Sequence, residues 1–319
     1  MTNDLMVRVA QRIEEADGIC SFELVPQDDN QLPAFSAGSH IDVHVAPGLI
    51  RQYSLSNDPA ERHRYRIAVL REIASRGGSA GMHERVRPGD LLRVSSPRNH
   101  FALAEAPRSL LLAGGIGVTP ILAMARSLHA QGRPFEMHYC GRSASRMAFL
   151  DEIAQAGFAS SVVIHADDVP EQKFDAQAVL ANRSEGTRLY VCGPTGFMDH
   201  VLETARRLGW PDEQLHREYF AGVGAAPLAT DSSFEVRIAS TGLSCQVPAG
   251  KTVIEVLAAH GVEVPTSCEA GVCGTCLTRV LQGTPDHRDT FLTDAERAAN
   301  DQFTPCCSRA LSPLLVLDL

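Results

Sequence analysis

A chain of 319 residues is too long for one ordinary core and reads as two or three domains, each able to bury its own. The composition, 44% hydrophobic and 21% charged, is globular, and 29 Lys and Arg against 38 Asp and Glu leave a net charge of -9, the wrong sign for a nucleic-acid binder. No apolar run reaches the roughly 18 residues of a spanning helix, and the opening MTNDLMVRVAQRIEEADG lacks the basic-then-apolar order of a secretory signal, so the expectation is a cytoplasmic protein with no membrane contact.

The first hundred residues read as short strands. In HIDVHVA, Ile41, Val43 and Val45 alternate with Asp42 and His44; in RYRIAVL, Tyr65, Ile67 and Val69 alternate with Arg66 and Ala68. That two-residue period is the mark of half-buried strands, and with the Pro88-Gly89-Asp90 turn before LLRV it suggests an antiparallel barrel. From about 104 the pattern changes to buried-strand runs, SLLLAGG, FEMHYC, SVVIHA and TRLYVCG, separated by helical stretches such as VTPILAMARSLHAQG and TGFMDHVLETARRLG. Strand and helix in alternation predict a doubly wound parallel sheet with ligands at the carboxyl ends of its strands. The stretch AGVGAAPLATDSS, 221–233, lacks bulky apolar anchors and reads as a connector. A small α+β domain follows, with a strand at FEVRIAS, a helix at TVIEVLAAHG and a last strand in LLVLDL.

Five of the nine cysteines fall near the end of the chain. Cys268, Cys273 and Cys276 form a C-x4-C-x2-C loop, and Cys306 and Cys307 follow as an adjacent pair, of which one can be a fourth ligand. Three thiolates at this spacing with a distant fourth are the plant-type arrangement for a 2Fe-2S cluster, and Gly271 and Gly274 let the backbone wrap tightly with its N–H groups aimed at the sulfurs. A four-cysteine zinc site is the alternative, but such sites usually present two C-x2-C-like pairs. Cys20, Cys140 and Cys245 sit in apolar patterns and read as core residues.

The cluster loop, DHRDTFLTDAER and the ending CCSRALSPLLVLDL resemble the phthalate dioxygenase reductase family, which includes the reductases of vanillate and carnitine Rieske oxygenases. The resemblance covers essentially the whole chain. It implies an FMN-binding barrel at 1–103, an NAD-binding α/β domain at 104–225, a linker at 226–232 and a ferredoxin-like β-grasp domain at 233–319. Both the family's ending and the 29 residues between Cys276 and Cys306 put the fourth ligand at Cys306. If the segment entering LLVLDL is extended, Cys306 and Cys307 point to opposite faces.

Arg51, Tyr53 and Ser54 supply a cation for a flavin phosphate, a flat face for the ring and a hydrogen-bond partner for the ring nitrogen that receives hydride. Arg76-Gly77-Gly78-Ser79, ahead of the helical AGMHERV, is a turn able to present N–H groups to a phosphate. The resemblance makes these residues FMN ligands, with the backbone of Ala68 and Val69 edging the ring and Phe220, at the close of a strand, against it. Gly114, Gly115, Gly117, Thr119 and Pro120 follow an apolar strand and precede a helix, where a nucleotide phosphate is expected, and the family uses this stretch for the NADH pyrophosphate. Cys192, Gly193 and Pro194 end another strand; by resemblance Cys192 lies beside the nicotinamide and, with Ser54, belongs to the catalytic set. Arg142 and Asp167 end strands and could face the adenosine ribose.

Nicotinamide gives up two electrons as a hydride and a 2Fe-2S centre accepts one, so a flavin must convert between them. The expectation is an oxidoreductase carrying electrons from NADH through FMN and 2Fe-2S to a terminal Rieske oxygenase, acting as a monomer. A diiron hydroxylase or a heme monooxygenase as acceptor, or a sensor without turnover, are the alternatives.

Overall fold

The computed structural model describes residues 4–28, 30–72, 77–220, 231–266, 269–272 and 274–319. Arg76, Cys268, Cys273 and the first five residues of the expected linker lie outside these. The chain forms two compact units, Met1–Glu218 and Tyr219–Leu319.

The first unit opens with strands β1 (Leu5–Ala16), β2 (Ile19–Pro26), β3 (Ser39–Ala46), β4 (Leu49–Ser54) and β5 (Tyr65–Leu70), then helix α1 (Gly78–Arg85), β6 (Leu91–Val94) and a short β7 (Arg98–Asn99) that adds to β3. Asp17-Gly18 makes a two-residue hairpin between β1 and β2, with Gly18 at a φ of 73° that suits a residue without Cβ. The order β4-β3-β6-β1-β2-β5 closes into an antiparallel barrel where Leu55, just past β4, bridges Ile67 of β5. Val7, Phe22, Leu24, Ile41, Val43 and Ile67 fill it, and Met82 of α1 joins the same core.

The second half of this unit carries β8 (Ser109–Gly114), α2 (Val118–Ala130), β9 (Phe135–Gly141), α3 (Leu150–Gln155), β10 (Val162–Ala166), α4 (Ala176–Ala181), β11 (Arg188–Cys192), α5 (Thr195–Arg207) and β12 (Leu215–Glu218). Every pairing in the sheet is parallel, in the order β10-β9-β8-β11-β12. The chain winds outward from β8 in one direction and returns to wind the other way from β11, and that reversal leaves a crevice beyond the carboxyl ends of β8 and β11. Ile19, Ala68 and Phe101 of the barrel half pack into the same core as Leu111, Ile121, Tyr139 and Tyr190. The alternation in RYRIAVL suggested that Arg66 and Ala68 face outward on a half-buried strand; with the α/β half against them they are 7% and 5% exposed.

The second unit contains β13 (Phe234–Ile238), β14 (Ser244–Val247), α6 (Val253–Ala259), β15 (Thr278–Gln282), β16 (Pro285–Asp286), α7 (Asp294–Ala299), β17 (Gln302–Phe303), β18 (Arg309–Ala310) and β19 (Leu314–Leu317). Its main sheet runs β14-β13-β19-β15-β17, with β13 and β19 parallel at its centre and antiparallel partners outside, the β-grasp arrangement. Capping boxes at Thr252/Glu255 and Thr293/Glu296 start its two helices by satisfying the first free N–H groups. Asp231 accepts from both terminal nitrogens of Arg288, and Arg309 donates to the Ser232 carbonyl at 3.1 Å, so the described end of the expected linker is fastened to this unit. The chain is therefore an antiparallel barrel, a doubly wound α/β half and an α+β ferredoxin-like domain.

Candidate functional site

Three glycines, Gly114, Gly117 and Gly193, bring the switch point of the parallel sheet into close contact. A Cβ on Gly117 would lie 2.2 Å from the Cys192 carbonyl oxygen, and one on Gly193 would lie 2.9 Å from the Cα of Gly114, so the turn after β8 and the end of β11 touch main chain to main chain. A Cβ on Gly114 would meet Phe197 at 2.8 Å and Pro194 at 3.0 Å. Gly115, at a φ of 53°, faces open space, the position from which a backbone N–H can approach a pyrophosphate closely. Thr119 and Pro120 are buried in the first turn of α2, where the Thr119 hydroxyl donates to the Ile116 carbonyl at 3.1 Å; they shape the turn. Arg142 and Asp167 follow β9 and β10 directly, are both exposed, and stand side by side, because the Asp167 N–H donates to Gly141 at 2.9 Å and the Asp168 N–H to Arg142 at 3.2 Å.

In the barrel, β4 and the start of α1 converge although they are some 25 residues apart in sequence. A Cβ on Gly78 would sit 2.6 Å from Cγ of Arg51, so the Arg51 side chain lies along the turn formed by Gly77, Gly78 and Ser79. Gly77 caps α1 at a φ of 89°, a conformation that keeps this turn to glycine. The Ser79 hydroxyl accepts from the Glu72 N–H at 3.1 Å. A cation, a tight turn and the amino end of an eight-residue helix together suit one phosphate group. The Tyr53 hydroxyl is buried with no hydrogen-bond partner among the described residues, an orphaned polar atom in the stretch where a flavin would lie. Ala68 and Val69 pair with Ser21 and Cys20 across β2, and the Val69 carbonyl accepts from His83 Nε2 at 2.8 Å. These residues fit a flavin mononucleotide. Phe220 was expected to close a strand; β12 ends at Glu218, and Phe220 is 40% exposed and belongs to the second unit.

The barrel and the sheet meet at Ser54. Its hydroxyl donates to Glu218 Oε2 at 3.2 Å, and Glu218 is the register partner of Cys192 across the parallel pair β11 and β12. Burial pushes the Glu218 carboxyl up to about 8, against the pull of the Ser54 hydrogen bond. Burial first and Glu218 second push the Cys192 thiol well above its ordinary range. Ser54 and Cys192 are legible in the sequence; Glu218 is not, because nothing in REYF marks it out and its partner is 164 residues away.

In the second unit, Cys276, Cys306 and Cys307 cluster together, all buried, against Ile254 and Val264. Gly271 and Gly274 both have positive φ, 72° and 67°, and are closely covered: a Cβ on the first would lie 2.4 Å from the Cys307 sulfur and on the second 2.2 Å from the Phe291 ring. No bulkier residue could follow that path, and the soft thiols held inside it suit a 2Fe-2S cluster. Cys268 and Cys273 lie outside the described residues. The segment carrying Cys306 and Cys307 is a turn, not the extended run considered from sequence: the Ser308 N–H donates to the Thr304 carbonyl at 3.0 Å, and both cysteines are buried in one cluster with Cys276. Cys307 has local partners, with its sulfur 3.4 Å from Thr304 Oγ1 and 3.8 Å from Ser308 Oγ.

Residues 236–311 match the model of the 2Fe-2S iron-sulfur cluster binding domain, and 97–215 match that of the N-terminal domain of dimethylamine monooxygenase subunit DmmA-like proteins. The vanillate O-demethylase oxidoreductase of a Pseudomonas species is 58% identical over 308 residues, 95% of this chain and 96% of that one. The structure of phthalate dioxygenase reductase, described as a modular structure for electron transfer from pyridine nucleotides to 2Fe-2S, aligns with a TM-score of 0.79 and 40% identity over 99% of this chain and 98% of the other. An intact type IV self-sufficient cytochrome P450 monooxygenase aligns with a TM-score of 0.84 and 39% identity, over 99% of this chain and 41% of that longer one.

Proposed function

This chain belongs to the phthalate dioxygenase reductase family, and from that premise we propose that it takes hydride from NADH onto FMN and hands electrons singly, through 2Fe-2S, to a terminal Rieske oxygenase. The observation that carries this reading is the junction of Ser54, Glu218 and Cys192, where the barrel's flavin stretch meets the nucleotide crevice of the sheet.

FMN, when bound, supplies the conversion from a two-electron hydride to one-electron steps. The residues of this chain do the rest. Arg51 and the Gly77–Ser79 turn hold the phosphate through a charge-assisted contact and backbone N–H groups. The Ser54 hydroxyl, already at the seam, can turn from Glu218 to the ring nitrogen that receives hydride. Burial raises the proton affinity of both Glu218 and Cys192, which disfavours a full negative charge at the seam. Gly114, Gly115, Gly117, Gly193 and Pro194 shape the crevice for the pyrophosphate, and Arg142 with Asp167 faces the adenosine ribose. Cys268, Cys273, Cys276 and Cys306 hold the cluster. Among the described residues no helix is long and apolar enough to cross a membrane. We place the protein in the cytoplasm as a monomer, meeting its oxygenase by diffusion.

The acceptor class is tested by supplying the loaded chain and NADH to a Rieske oxygenase in one assay and to a heme monooxygenase in another. Faster NADH use coupled to product with the Rieske enzyme supports the reading. The opposite preference would support a heme acceptor, which the likeness to the reductase-length part of a self-sufficient cytochrome P450 favours as a second reading.

A further inference from the structure

The seam of the first unit holds a second set of charged groups that the hydride path does not use. Arg66, on β5, is 7% exposed although it carries a full charge. Its guanidinium donates to both carboxylate oxygens of Glu152 on α3, at 2.7 and 3.2 Å, and lies 4.6 Å from the centre of the Phe149 ring. Arg126, on α2, also pairs with Glu152. One carboxylate of the α/β half thus joins one arginine from each half.

Both arginines then converge on Ser56. Arg66 Nε donates to the Ser56 hydroxyl at 3.2 Å, and the Ser56 N–H donates to the Arg66 carbonyl at 2.8 Å. Arg126 Nη1 donates to the Ser56 carbonyl at 3.1 Å. Ser56 is fully buried and only two residues past Ser54, and Leu55 between them is pinned by its bridge to Ile67. Little freedom is left in Ser54–Ser56 once Ser56 is fixed. The segment is gripped from a strand and a helix through one shared carboxylate on a second helix, and removing that carboxylate would leave a buried and a largely covered guanidinium without their shared counter-charge.

We propose that Glu152, acting through Arg66 and Arg126, is a positioning residue for hydride transfer: it fixes the Ser54–Ser56 strand end of the flavin barrel against the nucleotide-binding half. This rests on the role given to Ser54 above. Hydride transfer demands reacting atoms held within a few tenths of an ångström, so a small slide along the seam slows the step without removing either binding site. The two readouts that separate positioning from mere stability are the limiting rate against the half-saturating NADH concentration, and the long-wavelength charge-transfer absorbance that appears only when nicotinamide and flavin rings overlap.

The test is anaerobic stopped-flow mixing of the full, flavin- and cluster-loaded chain with NADH, for the parent, Glu152→Ala, Glu152→Gln and Arg126→Lys. For Glu152→Ala the limiting rate of flavin reduction should fall tenfold or more, with half-saturation changed less than threefold, flavin retained and the charge-transfer absorbance weakened. Glu152→Gln, which still accepts from one guanidinium, should recover part of the loss. A limiting rate within twofold of the parent in a folded, flavin-loaded Glu152→Ala protein would overturn the proposal, as would a loss matched by an equal rise in half-saturation. If Glu152→Ala sheds its flavin, the same criteria applied to Glu152→Gln and Arg126→Lys decide, and flavin loss in all three overturns it. A parent that is not reduced by NADH at all would sink the functional reading itself, and the proposal with it.

Discussion

Replacing Glu218 with glutamine tests whether the carboxyl at the seam is held protonated. Its pKa is pushed up to about 8 by burial, whereas in the unfolded chain it titrates near 4.5. The folded state therefore keeps a proton that the unfolded chain releases, so stability is fullest below about pH 4.5, declines as pH rises, and levels off above about 8. The slope is at most about 1.4 kcal/mol per pH unit, which caps the loss between pH 5.5 and 8.5 at about 3 kcal/mol; Glu218 is partly open to solvent, and about 1–2 kcal/mol is the expected size. Glutamine keeps the shape and a carbonyl to accept from Ser54 but cannot ionise. Trp210 is the single tryptophan, 4% exposed and donating to the Leu180 carbonyl at 3.1 Å, so its fluorescence during urea unfolding reads the first unit alone. The parent should lose this increment relative to Glu218→Gln as pH rises from 5.5 to 8.5. Two curves that stay parallel, or a parent that gains on the variant, would show that Glu218 ionises freely in the folded protein.

Arg51→Ala should weaken flavin retention by about 1.5–3 kcal/mol, the size of a lost charge-assisted hydrogen bond, measured by the flavin released on dilution or gel filtration; unchanged retention would move the phosphate elsewhere. Cys306→Ala should abolish the paramagnetic signal of the reduced cluster while NADH still reduces the flavin, and Cys307→Ser should keep that signal; the reverse pattern would make Cys307 the ligand. NADH should exceed NADPH in kcat/KM by on the order of tenfold or more, because the exposed Asp167 beside Arg142 repels a 2′-phosphate. Asp167→Ala should narrow that gap, and equal constants in the parent would refute the preference.

What could be read from the residues was what lies close together in the chain. The cluster loop, the glycines after β8 and the alternation in β3 and β5 are local, and each marks its element by spacing alone. The burial of Arg66 was hidden because the same alternation describes a strand with one wet face; only the α/β half, folding over β5, covers the other. Helices α3 and α4, six residues each, are too short to show a period. The Asp17-Gly18 hairpin signal was present but its flanking run, AQRIEEA, is polar enough to mask a strand. Glu218 and Glu152 acquire their roles from partners 164 and 86 residues distant, which no window along the sequence contains. Cys306 and Cys307 sit in a turn because of hydrogen bonds to Thr304, so the two-residue period of extended chain did not apply there.

The central claim is an ordered relay, and the most direct measurement follows it in time. The full chain, loaded with FMN and 2Fe-2S, is mixed anaerobically with one equivalent of NADH while flavin and cluster absorbance are recorded together, and an oxidised Rieske oxygenase is then added. The account predicts that flavin absorbance falls first, that cluster absorbance falls next at the expense of reduced flavin, and that the cluster reoxidises as the oxygenase is reduced. Flavin bleaching with a cluster that stays oxidised, or a cluster reduced before the flavin, would contradict it.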